Sequence, residues 1–238
     1  MGGGLKAAGL LACLVALEAC LTPPAVQAAS YKEAKVKRII DGNQVYINGK
    51  TAKVNQVARS GSQVRTGRSR AELLFDNTSI GFLGRSSVIT VGSDCLTIGK
   101  GSFLSSGPQR ACLGSKVLGV KGTTFVIDRT SDLYNVIMLE GVAYVGEVTG
   151  YEETEEAKKK LEEARAKQEP LADSDPSGKT TYICGCELAQ FTPQGEFVQQ
   201  ARLSRTQLMA VLNRFADPNL QLPEGTSARI NETLSQCK

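Results

Sequence analysis

From Val36 onward the apolar residues come in short runs at two-residue spacing, interrupted every few positions by Gly, Asn, Asp or Ser. That pattern predicts β-strands separated by tight turns rather than helices. Val36, Arg38 and Ile40 share one face of a first strand, and Asp41-Gly42-Asn43 turns the chain into Val45-Tyr46-Ile47. Asn48-Gly49 is the strongest hairpin signal in the chain, because a type I′ turn needs positive φ at both central residues and Asn-Gly supplies it. Ala71 to Phe75 and Ser79 to Leu83 flank Asp76-Asn77-Thr78 as a second hairpin, and Ser86 to Val91 extends the meander. Between them, Arg59 to Arg70 carries four arginines with Gly61 and Gly67 and reads as a polar connection. It is either an anion-binding edge or a solvated loop whose charges keep a sheet edge from pairing.

Two further strand-like runs follow, Val117 to Ile127 and Val136 to Val145. Gly122 permits a bulge or a close backbone approach, Thr123 and Thr124 favour extended backbone, and Phe125 and Ile127 then share one face. Glu140-Gly141 reads as a tight turn before Val142 and Tyr144. No base stands near a candidate nucleophile in sequence, and no acid pair is isolated in apolar surroundings that would raise a carboxylate pKa. Thr123 and Glu140 are therefore expected to be structural or recognition residues, not catalytic ones.

The pattern changes abruptly at Glu152. Glu155/Lys159, Glu156/Lys160 and Glu163/Lys167 are i,i+4 pairs in the favourable order and predict a solvated helix with a thin apolar stripe of Ala157, Leu161 and Ala164. Gln168 to Lys179, rich in Pro, Asp, Ser and Gly, is a linker or long loop. Beyond it, Thr181 to Cys184 and Phe197 to Gln199 predict two strands around Thr192-Pro193-Gln194-Gly195. Ser204 caps a helix running to about Phe215, with Leu208, Val211 and Leu212 on its buried face. Asn231-Glu232-Thr233 fits the glycosylation acceptor pattern.

The first 28 residues alter this picture by moving the chain out of the cytoplasm. Lys6, the apolar run Ala7 to Ala16, and the small residues of Val26-Gln27-Ala28 form a secretory signal with cleavage after Ala28. Glu18 and Pro23-Pro24 interrupt the run short of the length that spans a bilayer. A lipoprotein signal with Cys20 as the lipidated residue is the alternative, and Glu18 fits it poorly. The net charge of +4 is spread over interspersed charges of both signs, which argues against a nucleic-acid partner. His and Trp are absent, so the commonest metal ligand and general base are missing, and no cofactor is implied.

Of seven cysteines, Cys13 and Cys20 leave with the signal peptide, and Cys95, Cys112, Cys184, Cys186 and Cys237 remain. An oxidising compartment favours joining Cys95 to Cys112 across the Gly-rich passage Gly99 to Gly107, the alternative being two buried thiols. One of Cys184 and Cys186 is expected to pair with Cys237, although a C-x-C pair also suits redox or soft-metal chemistry.

The succession Gly61 to Gly67, Arg70-Ala71-Glu72-Leu73, Asp76 to Ser79, Arg85-Ser86-Ser87, Gly122-Thr123-Thr124-Phe125 and Glu140-Gly141 resembles the ferric-citrate-regulator (FecR) domain of bacterial envelopes over Val36 to Val148. Asn77 stands where the family usually has Gly, and Lys121 where it commonly has Arg. The resemblance implies a module that binds and relays rather than catalyses, with Gly122, Thr123, Thr124, Phe125, Glu140 and Gly141 as its motif residues. Transcriptional regulators of that family carry a cytoplasmic anti-sigma segment and a transmembrane helix ahead of the β-domain. Neither is visible in this sequence, so the chain reads as a stand-alone exported version.

The expected architecture is all-β, an antiparallel sandwich or roll of short strands with an exposed charged helix and a small α+β C-terminal appendage. The divisions are a signal peptide (1–28), a FecR-like β-domain (29–150), charged helix and linker (151–179) and appendage (180–238). The expected function is that of a non-enzymatic periplasmic or secreted sensor or scaffold, whose partner is another envelope protein or a cell-wall component. The rivals are a cell-wall-associated structural protein and a thiol redox protein using Cys184 and Cys186.

Overall fold

In the computed structural model, residues 32–76, 78–147, 180–216, 222 and 224–237 are described. The signal segment with Cys13 and Cys20, the charged helix and linker, Asn77, Val148 and Asp217-Pro218 lie outside the described residues. The described residues are mostly all-β, with two helices among them, as the period-two pattern predicts. Strands β1 (Glu33–Ile40), β2 (Val45–Ile47), β3 (Lys50–Thr51), β4 (Val57–Arg59), β5 (Gln63–Thr66), β6 (Arg70–Phe75), β7 (Ile80–Leu83) and β8 (Val88–Thr90) form the first half. The second half contains β9 (Leu96–Leu113), β10 (Lys116–Arg129), β11 (Tyr134–Glu140), β12 (Val142–Glu147), β13 (Thr181–Cys184), β14 (Glu187–Phe191) and β15 (Phe197–Arg202). Helices α1 (Arg205–Asn213) and α2 (Thr226–Gln236) follow. One branched antiparallel sheet runs β15-β14-β11-β10-β9-β7-β6-β1-β4, with β2, β3, β5, β8, β12 and β13 paired off that path.

The two predicted hairpins form. Asn48 and Gly49 have φ of 49° and 78° between β2 and β3, and Thr78 has φ 70° between β6 and β7. Three local readings change. Arg59 to Arg70 is not one polar connection, because β5 lies inside it and alternates exposed Gln63 and Arg65 with buried Val64 and Thr66. In β1 the register against β6 shifts between Val36 and Arg38. The bulge reverses the alternation, so Ile39 packs on the core with Val36 while Arg38 pairs across with Glu72. In the tail, the hairpin around Thr192 to Glu196 is β14/β15, and β13 pairs with β12 instead.

Glu140-Gly141 does not reverse the chain. β11 and β12 both run antiparallel to β10, β11 along Thr124 to Arg129 and β12 along Lys116 to Val120. They form one bent strand with its corner at Gly141, whose φ of 80° suits glycine. The corner lies in a line of breaks. The β9/β10 register shifts between Val120 and Thr123, where Gly122 sits, and Thr123 faces Gly107. Beyond Gly141, β13 continues along β12 and β14 along β11, with Gly185 and Cys186 between them. A crease therefore crosses four neighbouring strands.

β9 shows the consequence. Its 18 residues, if straight, would reach about 60 Å. Yet Cys95, just ahead of it, and Cys112, near its end, have Cα atoms 5.5 Å apart and are joined by a disulfide. The strand curls through Gly101 and Gly107, with φ of 78° and 108°. It pairs in turn with β8, β7 and β10, and so winds the sheet into a roll.

The curled sheet has two apolar faces. The interior of the roll holds Val36, Leu73, Phe75, Leu83, Ile89, Leu96, Phe103, Phe125 and Ile127, among others. The outer face of the central strands presents Phe82, Leu104, Val126, Ile137 and Leu139 to Leu208 and Phe215 of the α1 region and Ile230 and Leu234 of α2. The segment read as an appendage is α+β in content, and its strands continue the main sheet while its helices roof this outer face. Ser204 caps α1 as predicted: its Oγ accepts from the Gln207 N–H, and Gln207 Oε1 accepts from the Ser204 N–H.

Candidate functional site

Strand alternation splits the motif residues between the two faces. Phe125 is fully buried in the roll, whereas Thr124 points to the helix-covered side. Register places Ile80, Ser106, Thr124 and Glu140 in one row across β7, β9, β10 and β11, directly beside the crease. Thr124 Oγ1 donates to Glu140 Oε1 at 3.1 Å, and the hydroxyls of Ser106 and Thr124 are 3.0 Å apart. Because the Thr124 proton goes to the carboxylate, Ser106 must supply the proton between the two hydroxyls.

The other carboxylate oxygen, Oε2, accepts from Arg229 Nε at 3.2 Å. Arg229 comes from α2, 89 residues away, and its Nη2 also donates to Thr226 Oγ1 at 3.0 Å. The Glu140 side chain is 4% exposed and that of Arg229 43%. A buried carboxylate needs such partners, since losing water without them would be expensive. The relay Ser106–Thr124–Glu140–Arg229 thus ties the helix roof to the crease. Thr123, one residue along, packs against Gly141: a Cβ added there would sit 3.1 Å from that of Thr123. Thr123 Oγ1 is buried without a hydrogen-bond partner among the described residues.

The second tie is covalent. Cys186 and Cys237 form a disulfide with Cα atoms 5.7 Å apart, fastening the end of α2 beside the crease. Cys184 belongs to neither disulfide, and its N–H donates to Glu187 Oε2 at 2.7 Å. The same oxygen accepts from Gln200 Nε2 at 2.8 Å. Burial raises the Glu187 pKa above the usual carboxylate range, and the bonds from Cys184 and Gln200 offset part of that rise.

No protein-family profile matches this chain, and no curated protein does. Among the solved structures to which the chain is similar are two named as candidate anti-sigma factors from Parabacteroides distasonis ATCC 8503. One is 10% identical with a TM-score of 0.42, over 63% of this chain and 64% of its own. The other is 9% identical with a TM-score of 0.40, over 68% and 80%. The chain thus spans less than two thirds of the first structure's length. Likeness this distant says nothing of activity.

Of the four arginines between Arg59 and Arg70, read as an anion-binding edge or a solvated loop, Arg65 and Arg70 have partners of their own. Arg65 lies 4.5 Å above the Tyr46 ring. Arg70 Nε and Arg85 Nη2 both donate to Asp41 Oδ2, at 2.9 and 2.7 Å, and Arg85 first, then Arg70, hold the Asp41 carboxyl below its ordinary range. Arg70 Nη1 also donates to the Ala216 carbonyl at 2.8 Å, tying the end of α1 to this cluster.

Ser106, Arg229, Glu187 and Gln200 were not singled out from the sequence. For α2 a signal existed in the four-residue spacing of Thr226, Ile230 and Leu234, all of which are buried. Arg229 lies within that pattern and carried no mark of its own. Among the described residues, no helix is long and apolar enough to cross a membrane, and no group of His, Cys, Asp and Glu is arranged to hold a metal ion.

Proposed function

We propose that this chain is a non-catalytic, exported binding and sensory module of the bacterial envelope, of FecR-like kind. The observation carrying this reading is the use made of Thr124 and Glu140. They are the two motif residues best suited to chemistry, a hydroxyl beside a carboxylate at 3.1 Å, and that chemistry is spent on holding α2. Thr124 is fully buried and Ser106 is 1% exposed, so neither hydroxyl can meet a substrate carbonyl. The motif then serves to stiffen a crease and fix a helix over it, which suits a surface that presents itself to a partner.

Two disulfides support export, because such bonds persist in oxidising compartments. They also weaken the redox reading, since Cys186 is bonded to Cys237 rather than to Cys184. In-cell cross-linking of the tagged chain, followed by fractionation and peptide mapping, tests the proposal. An envelope protein recovered with a chain cut after Ala28 and carrying both disulfides is the expected result. Recovery of peptidoglycan alone would favour the wall-associated alternative, and a cytoplasmic, fully reduced chain would overturn the assignment.

A further inference from the structure

Acidic and basic residues mix along the sequence, but the fold sorts them. Residues 32–100 hold twelve lysines and arginines against five aspartates and glutamates, whereas the remaining described residues hold eight of each. In the arm built from β3, β2, β5, β8 and the start of β9, Ile47, Val64, Ile89 and Ile98 form the inward row. The next row faces solvent, and register places Thr51, Tyr46, Arg65, Val88 and Lys100 side by side in it. A bulge sets both Gly99 and Lys100 opposite Val88, and both are exposed. Arg65 is exposed too, two strand spacings or about 10 Å from Lys100. Its guanidinium lies 4.5 Å above the ring of half-buried Tyr46, a stack that occupies the flat face of the fork and not its N–H edges. Among the described residues no carboxylate pairs with Arg65 or Lys100. Two residues further along the strands, Gln63, Thr90 and Thr97 form a parallel row of uncharged hydrogen-bonding side chains.

We propose that this face binds an acidic polysaccharide laid across the strands, its carboxylates on Arg65 and Lys100 and its hydroxyls on Gln63, Thr90 and Thr97. Charge complementarity selects an anion. The separation of Arg65 from Lys100 selects one whose charges repeat along its length, because a single small anion cannot bridge it. The face lacks the apolar centre that a protein interface buries and the apolar side chains that a peripheral membrane face inserts. Val88 is half-buried, and none of the exposed large apolar residues, Val54, Phe197, Val198 and Met209, belongs to these strands of the arm. A nucleic acid would need an open ring on which to stack its bases, and Arg65 covers that of Tyr46. The face lies apart from the crease and its roof, so it adds a ligand to the reading above without depending on it.

Fluorescence anisotropy of a labelled polygalacturonate oligosaccharide, titrated with the disulfide-bonded chain at physiological ionic strength, tests the inference. The wild type should bind it, and neutral dextran should not compete. Arg65→Gln should weaken binding roughly tenfold, through loss of a charge-assisted two-pronged contact, and Lys100→Gln severalfold. Arg65→Lys should recover little of that loss, since an ammonium keeps the charge and loses the stacked planar fork. Arg205→Gln, an equal change of charge at an exposed site on α1, should leave binding unchanged. Each variant should keep the wild-type circular dichroism spectrum. Absence of binding would overturn the proposal, as would equal losses from Arg65→Gln and Arg205→Gln or full rescue by Arg65→Lys. Binding as tight or tighter to polyglutamate, to single-stranded DNA or to vesicles of anionic phospholipid would also overturn it.

Discussion

Inside the roll, Phe75 and Phe103 meet edge to face with ring centroids 6.3 Å apart, and Phe125 and the surrounding aliphatic residues fill the remaining space. On the outer face the same central strands present a narrower apolar strip, and its partners arrive from the far end of the chain. Cohesion in the interior is spread over many buried side chains and ladders. On the outer face it is concentrated in a few apolar contacts, one disulfide and two ion pairs, Arg229–Glu140 and Arg214–Asp128. The two faces share β9, β10 and β11, so the contrast separates what folds the sheet from what keeps its roof attached. The roof should open locally at a lower free energy than the roll unfolds.

The largest effect should come from the interior. Phe103→Ala removes a fully buried ring and its contact with Phe75, and should lower stability by about 4 to 5 kcal/mol. Urea unfolding followed by circular dichroism and by a probe on α2 should then show one coincident transition. Separate transitions would break the idea that the roof depends on the roll.

Replacing Cys186 and Cys237 together by Ser opens a link between positions 51 apart in sequence, which the chain-entropy model values at about 4 kcal/mol at most. Amide exchange should rise first along α2 while β9 amides stay protected. A uniform rise over both would mean the roof and roll form one cooperative unit.

Arg229→Met leaves the Glu140 carboxylate buried with Thr124 alone. Because the Arg229 side chain is 43% exposed, the penalty should be about 1 to 2 kcal/mol, well below that for breaking a fully buried pair. Glu140→Leu with Arg229→Met should cost less than the sum of the two single changes. Additive losses would show that the pair does not hold the helix.

The smallest effect is a slope. The folded state raises the Glu187 pKa, so it binds the proton more tightly than the unfolded chain. Its destabilising share therefore grows as pH rises from the ordinary carboxylate range, about pH 4 to 5, up through the raised folded value. Glu187→Gln should flatten that fall in urea midpoint. An unchanged slope would place the titration elsewhere.

Much of the roll was legible in the sequence because strand alternation and turn chemistry are local. Asn48-Gly49 and the Asp76 to Ser79 hairpin needed no knowledge of distant residues. The Cys95–Cys112 bond followed from compartment and position alone. The crease was not legible. Glu140-Gly141 has the composition of a reversal, and only the pairing of both flanking segments with β10 makes it a corner. Ile39 displaced Ile40 for a similar reason, since a bulge leaves no mark on composition. Within the site, Thr124 and Glu140 were picked out but their partners were not, because Ser106 and Arg229 reach them through register and helix packing rather than through spacing.

The closure of β9 also governs how the molecule would bear tension. If the chain were stretched from its two ends, force arriving at Cys95 would cross directly to Cys112, 17 positions further on, through the sulfur atoms and bypass the segment between. Roughly 60 Å of contour would be missing from the fully drawn-out length. The strand shared by both faces would carry no load while its neighbours were peeled away, and a mechanical record taken under reducing conditions should regain that length.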